Sequence, residues 1–174
     1  MIYYLIKLAY YIFRKKVTKI KVKTISISNI TIEIECNRKV RDLAHNAWVE
    51  LVTRKIALPF DEDNDVIVEV YNSWYQIFPE FRKIIKELSD VNDSDVEKLV
   101  STLLRVLNVE LRGHLTKYQA RFRKWYENAD YKDLEPQEIQ KKYPEYNDLI
   151  LDLKKVNSEI INLTNQLDNI RRKK

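Results

Sequence analysis

The chain has 174 residues, 45% hydrophobic and 33% charged, a composition that folds around a core of its own. Its single glycine excludes a glycine-rich dinucleotide turn, a P-loop and a GxSxG elbow, while one cysteine and two histidines exclude a disulfide framework and the usual zinc clusters. The net charge of +5 is uneven: +5 over residues 1–35, +3 over 36–58, −5 over 59–69, −2 over 70–100, +5 over 101–126 and −1 over 127–174. Two basic blocks separated by an acidic loop point to anionic partners, either nucleic acid or nucleotide, or an anionic membrane surface.

Residues 2–13, IYYLIKLAYYIF, are apolar or tyrosine apart from Lys7, and Arg14, Lys15 and Lys16 follow. As a helix this run is about 18 Å long against about 30 Å of bilayer hydrocarbon, too short to span alone. Its charges follow the apolar run and no small-residue cleavage site comes after, so it does not read as a signal peptide. Two readings stand. Ile2, Tyr3, Tyr4, Leu5, Ile6, Leu8, Tyr10, Tyr11, Ile12 and Phe13 lie in a membrane interface with the basic cluster on anionic lipid, or they form a helix packed on the protein's own hairpin.

Residues 19–36, KIKVKTISISNITIEIEC, alternate with period two, which predicts a β-hairpin turning at Ser28-Asn29. Simple pairing sets Ile27 against Ile30 and Ile25 against Ile32, but also Lys23 against Ile34. A β-bulge at Lys23-Thr24 is expected to repair the register, with Val22 facing Ile34 and Lys21 and Lys23 facing Glu33 and Glu35. Two strands are marginal alone, so a helix or a second subunit must cover the aliphatic face.

From residue 38 the period becomes helical, with Asn37 as N-cap and Val40, Leu43, Ala44, Ala47, Leu51 and Val52 as the apolar stripe, ending before Pro59. After the loop PFDEDND, the residues Ile67, Val70, Tyr71, Trp74, Ile77, Phe78, Phe81, Ile84, Ile85 and Leu88 keep helical spacing through a break or kink at Pro79. Ser94-Asp95-Val96-Glu97 reads as a capping box for a helix burying Val96, Leu99, Val100, Leu103, Leu104, Leu107 and Leu111. Gly113 is expected to break or bend the chain before a further helix from about Leu115 to Glu127, and Pro136 and Pro144 suit first-turn positions. Last, Leu149, Leu153, Val156, Ile160, Leu163, Leu167 and Ile170 step by four and three. This heptad seam serves a coiled coil between subunits or, the favoured reading, a hairpin against an earlier helix of the same chain. Arg171 to Lys174 complement the helix C-terminus. The fold class is therefore mainly α. An apolar segment and β-hairpin (1–36) precede a helical bundle (37–174) that ends in a long heptad helix.

The sharpest basic feature is HLTKYQARFRKWY, residues 114–126. On a helix His114, Lys117, Arg121 and Lys124 share one face, with Leu115, Tyr118, Phe122 and Trp125 beside them and Arg105 and Arg112 entering from the preceding helix. Only Glu110 offsets this charge, so these six basic side chains form the expected binding set for an anionic nucleotide or oligonucleotide. The alternative is a solvated amphipathic helix with its aromatics in the core. The acidic loop opens Asp61-x-Asp63-x-Asp65 like a calcium loop, but its sixth position is Val66 and its twelfth Asn72. A helix cap, or a clamp for a neighbour's basic patch, is expected instead, and no metal or cofactor.

In NRKVRDLAH, Arg38 and His45 lie two turns apart on one helix face with Arg41 between them. This resembles the R-x4-6-H motif of HEPN ribonucleases, small helical dimers in which a histidine and an arginine handle the ribose 2′-hydroxyl and phosphate. The family's polar residue after the arginine is Lys39 here. The resemblance implies Arg38 and His45 as catalytic residues; the structural alternative is a partly buried histidine flanked by surface arginines.

The segments AWVELVTRK (47–55), SWYQIF (73–78) and LRGHLTKYQARFRKW (111–125) together resemble small helical proteins of prokaryotic antiphage defence and are similar to Hailong-type membrane effectors. The resemblance covers roughly residues 40–126. It implies an N-terminal membrane element, a cytosolic helical sensor and a nucleotidyltransferase partner that supplies a nucleotide or oligonucleotide signal. It assigns no catalytic or binding residue. The expected protein is a non-enzymatic homo-oligomeric effector or adaptor, cytoplasmic at the inner face of the cell membrane. A ribonuclease and a structural subunit of a larger complex are the alternatives.

Overall fold

The computed structural model describes residues 22–27, 30–88, 92–131 and 133–172. The predicted apolar helix over residues 2–13 and the Ser28-Asn29 turn lie outside these residues. Strands β1 (Val22–Ile27) and β2 (Ile30–Glu35) are followed by α1 (Arg38–Val52), a 3-10 turn (Lys55–Ala57), α2 (Ile67–Tyr75) and α3 (Ile77–Lys86). Then come α4 (Ser94–Arg105), a π-helical segment (Val106–Leu111), α5 (Arg112–Glu127), the short α6 (Pro136–Gln140) and the long α7 (Tyr146–Arg171). The chain is mainly helical with one antiparallel hairpin. Among the described residues no helix is long and apolar enough to cross a membrane.

The hairpin keeps simple register throughout. Ile25 pairs with Ile32 and Ile27 with Ile30, but Lys23 also pairs with Ile34 and Val22 with Glu35, so the expected bulge is absent. A lysine can lay its methylene stem on apolar surface and keep its ammonium in water, so a half-buried Lys23 opposite Ile34 costs too little to force a bulge. Ile25, Ile27 and Ile34 are buried, with β1 against α7 and β2 against α4. The free edge of β1 is closed by α7. Gln166 Oε1 accepts the Ser26 N–H, while Gln166 Nε2 and Asn162 Nδ2 donate to the Ser26 carbonyl at 2.7 and 3.2 Å.

Asn37 caps α1 as predicted, its Oδ1 accepting the Val40 N–H at 3.0 Å. The cap of α4 is Asp93 rather than Ser94: Asp93 Oδ1 accepts the N–H groups of Asp95 and Val96 at 3.0 and 3.2 Å. Both residue types cap well, but a carboxylate also gains from the helix dipole. Asn37 Nδ2 donates to Asp93 Oδ2 at 2.8 Å and ties the starts of α1 and α4 together. The break between α2 and α3 falls at Gln76, where the Pro79 ring, lacking an N–H, would crowd the Tyr75 carbonyl of a continuous helix.

Gly113 neither breaks nor bends the chain. Helix runs unbroken from Ser94 to Glu127, and the irregularity is the π segment that precedes the glycine. A Cβ at Gly113 would meet nothing within 4 Å, so no close approach demands a glycine there. The π segment shifts the apolar phase, burying Val106 with Leu107 and Leu111 and leaving Leu104 exposed against expectation. Pro136 opens α6 as predicted, whereas Pro144 lies in the turn before α7.

All seven seam residues of α7 are buried within this chain, against α1, the 3-10 turn, β1 and α5. The seam is thus spent on the chain's own core, and the coiled coil between subunits is corrected to the intramolecular packing. Two buried amides staple the intervening loop. Asn157 Nδ2 donates to the Ile56 and Leu58 carbonyls at 2.9 and 3.0 Å, and its Oδ1 accepts the Phe60 N–H at 3.0 Å. Gln140 Oε1 accepts the Ile67 N–H at 2.8 Å, doing for α2 what a local cap would, and its Nε2 donates to the Asp65 carbonyl at 2.9 Å. Arg171 and Arg172 both bind the Asp168 carboxylate.

Candidate functional site

α5 carries most of the predicted site. Its inward stripe, Leu115, Tyr118 and Phe122, is core, and Phe122 and Trp125 each meet the Tyr143 ring with centroids 5.2 Å apart. The apolar stripe anchors the helix and so dictates which side chains remain for a ligand.

His114 leaves the predicted basic row. It is 2% exposed and points into the bundle, where Nδ1 lies 2.7 Å from Asp152 Oδ2 and Nε2 lies 3.0 Å from the Tyr71 hydroxyl. With Nδ1–H donating to the carboxylate, Nε2 accepts the Tyr71 O–H, which is the neutral imidazole. Burial sets the balance: it pulls His114 below the usual histidine range although Asp152 pulls the other way, and it pushes the Tyr71 phenol far up. The relay resembles an acid–base chain, but both Tyr71 and His114 are enclosed, and neither reaches a ligand. It is a polar tie between α2, α5 and α7.

The other five basic residues divide by side. Arg112 turns towards α3, its guanidinium 4.6 Å from the centre of the Phe78 ring and its Nε donating to Asn108 Oδ1 at 3.3 Å. Arg105 is exposed on α4. Lys117 holds its ammonium 4.7 Å from the Tyr118 ring centre, and Arg121 pairs with Glu145 at 3.1 Å. Lys124 is exposed, with no carboxylate at ion-pair distance among the described residues.

Two open grooves flank α5. The first, about 710 Å³, is lined by Lys117, Arg121 and Lys155 against Glu145, Asp148 and Asp152, so its charges balance. The second, about 720 Å³, lies beyond the end of α5 and is lined by Arg121, Lys124, Trp125, Asn128, Asp130 and Tyr131. The Lys142 ammonium is 5.6 Å from the Tyr131 ring centre, and Asn128 Nδ2 donates to the Lys124 carbonyl at 2.6 Å. Lys124 and the Glu145-paired Arg121 stand here with Asp130 beside two aromatic rings. Sequence reasoning missed Tyr131, Lys142 and Asn128 because only the loop after α5 brings them back to Lys124. Comparison with protein-family models, curated proteins and solved structures finds no match.

The acidic loop serves its own chain rather than a neighbour. Asp65 pairs with Lys55 at 2.7 Å, Asp63 with Lys141 at 3.1 Å, and Glu62 with Lys154. The Asn64 amide and the Asp63 N–H hold the Asp61 carboxyl below its usual range. Among the described residues no group of three or more His, Cys, Asp or Glu side chains could hold a metal ion. On α1, Arg38 and His45 are both exposed, so the histidine is not partly buried. Arg38 pairs with Asp42 at 3.6 Å, and His45 stacks on Trp48, which also carries the Arg171 guanidinium 3.5 Å from its ring centre.

Proposed function

We propose that this protein is a non-enzymatic effector or adaptor that responds to an anionic nucleotide, held in the groove at the end of α5. The observation that carries the reading is the grouping of Arg121 and Lys124 with the Trp125 and Tyr131 rings around one cleft of about 720 Å³. Cationic side chains supply the phosphate contacts and an aromatic edge supplies a surface for the base. The volume suits a ligand of nucleotide size. The basic run after residue 13 supports engagement of an anionic membrane by residues 2–13, and the resemblance to antiphage-defence effectors supports a homo-oligomer paired with a nucleotidyltransferase.

Titration of the full chain with the fluorescent nucleotide mant-ATP tests the ligand. Lys124→Glu is expected to raise Kd at least tenfold, since it reverses the unpaired cation of the cleft. Equal affinity of wild type and folded variant sinks the reading. Flotation on phosphatidylserine vesicles, with and without residues 1–16, tests the membrane part, and equal recovery of both forms removes it.

A further inference from the structure

We infer that α3 carries a second anion site, shaped for the phosphodiester backbone of a single-stranded nucleic acid and separate from the nucleotide cleft. Arg82, Lys83 and Lys86, with Pro79 and Glu87, line a shallow cavity of about 370 Å³ on the outer side of α3. Phe78 lies one turn before Arg82 on the same edge of the helix, and the Arg112 guanidinium rests on the Phe78 ring.

The local excess of cations supports an anion site. Lys55, Lys141 and Lys154 pair with Asp65, Asp63 and Glu62 of the acidic loop, Asp168 pairs with two arginines, Asp95 with Lys98, and Glu145 with Arg121. Arg82, Lys83 and Lys86 have no carboxylate at ion-pair distance among the described residues, although Glu87 lines the same cavity. Charge of one sign left unpaired on a fixed helix face is the footprint of a polyanion.

Single-stranded nucleic acid is favoured by what stands just before α3, at the end of α2. Tyr75 is 57% exposed, its ring centre 5.7 Å from that of Phe78. With Glu69, Asn72, Gln76, Gln119 and Arg123 it lines a further groove of about 800 Å³. An open ring beside side-chain amides offers a stacking platform and partners for a base edge, and only an unpaired base can use both. Within α3 the cations Arg82, Lys83 and Lys86 span about one helical turn, so they would grip neighbouring phosphates of one strand. An anionic membrane fits less well. Phe81 and Ile84 face the core and Ile85 is half-buried, so little apolar surface stands beside these cations to insert into lipid.

Fluorescence anisotropy of the full chain with a fluorescein-labelled twelve-residue oligothymidylate tests the site. The triple variant Arg82→Glu, Lys83→Glu, Lys86→Glu should raise Kd at least tenfold and flatten the salt dependence by about two in log–log slope, for three lost phosphate contacts. Tyr75→Ala should weaken binding about fivefold or more, and Lys124→Glu should leave it unchanged. If the triple variant melts early, the milder pair Arg82→Gln, Lys86→Gln carries the test. Unaltered oligonucleotide binding in a folded variant overturns the site. So does absence of oligonucleotide binding at low salt, or capture by phosphatidylserine vesicles alone. Because mant-ATP binding depends on Lys124 and not on α3, failure of this site and failure of the nucleotide cleft are read separately.

Discussion

At the scale of single residues, buried polar groups set the tolerances of this molecule. His114 is neutral in the fold, enclosed by Tyr71 from α2, Tyr118 and Lys117 from α5 and Asp152 from α7. Its folded pKa is depressed, so the unfolded chain takes up a proton first as pH falls. The histidine therefore contributes its stability in full above the ordinary histidine pKa of about 6.5, and loses it as pH drops towards the folded value. Tyr71 and Lys117 are both shifted upward, away from this window. Urea midpoints measured from pH 8 to pH 5 should fall more steeply for wild type than for His114→Gln; parallel curves would refute the neutral imidazole. Asn157 makes a complementary case. Asn157→Ala strands two buried backbone groups and one part-buried one and should cost about 2–4 kcal/mol in urea unfolding. Neither role was legible in the sequence. The partners of His114 stand 43 and 38 residues away, and those of Asn157 about a hundred. Only the tertiary fold brings them together.

At the scale of elements, what could be read depended on how strictly physics couples residue type to position. The α7 seam was plain because a side chain every three or four residues admits one buried face, and all seven positions are buried. Leu163→Ala, in the middle of that seam, should cost about 2–5 kcal/mol by chemical denaturation. The hairpin was legible in its existence but not its register, since Lys23 is amphipathic and tolerates a place that a shorter charged residue would not. Gly113 shows the opposite error. Low helix propensity was read as a break, but a single glycine is a modest penalty that the flanking packing of Leu111 and Leu115 overrides. With open space around its missing Cβ and helical backbone on both sides, Gly113→Ala should stabilise the protein by about 0.5–1 kcal/mol. A lower melting temperature for that variant would contradict the continuous helix.

At the scale of the whole molecule, charge is arranged by two different rules. Three acids of the loop and the arginines 171 and 172 are held in ion pairs within the chain, whereas Lys124 and the α3 cations have no carboxylate at ion-pair distance among the described residues. The basic character of residues 101–126 was visible in the sequence, but its division was not. Arg112 faces α3, Lys117 and Arg121 face α7, and His114 is inside. The α3 stripe was hidden because residues 70–100 sum to a negative charge, although Arg82, Lys83 and Lys86 share a cavity with the single carboxylate of Glu87. The central claim is that this chain recognises phosphates with helical side chains at two separable places. Binding of mant-ATP and of the labelled oligothymidylate, each measured for Lys124→Glu and for the α3 triple variant, tests it most directly. The account predicts that Lys124→Glu loses only the nucleotide and the triple variant loses only the oligonucleotide. Loss of both ligands in either variant, or of neither in both, would contradict it.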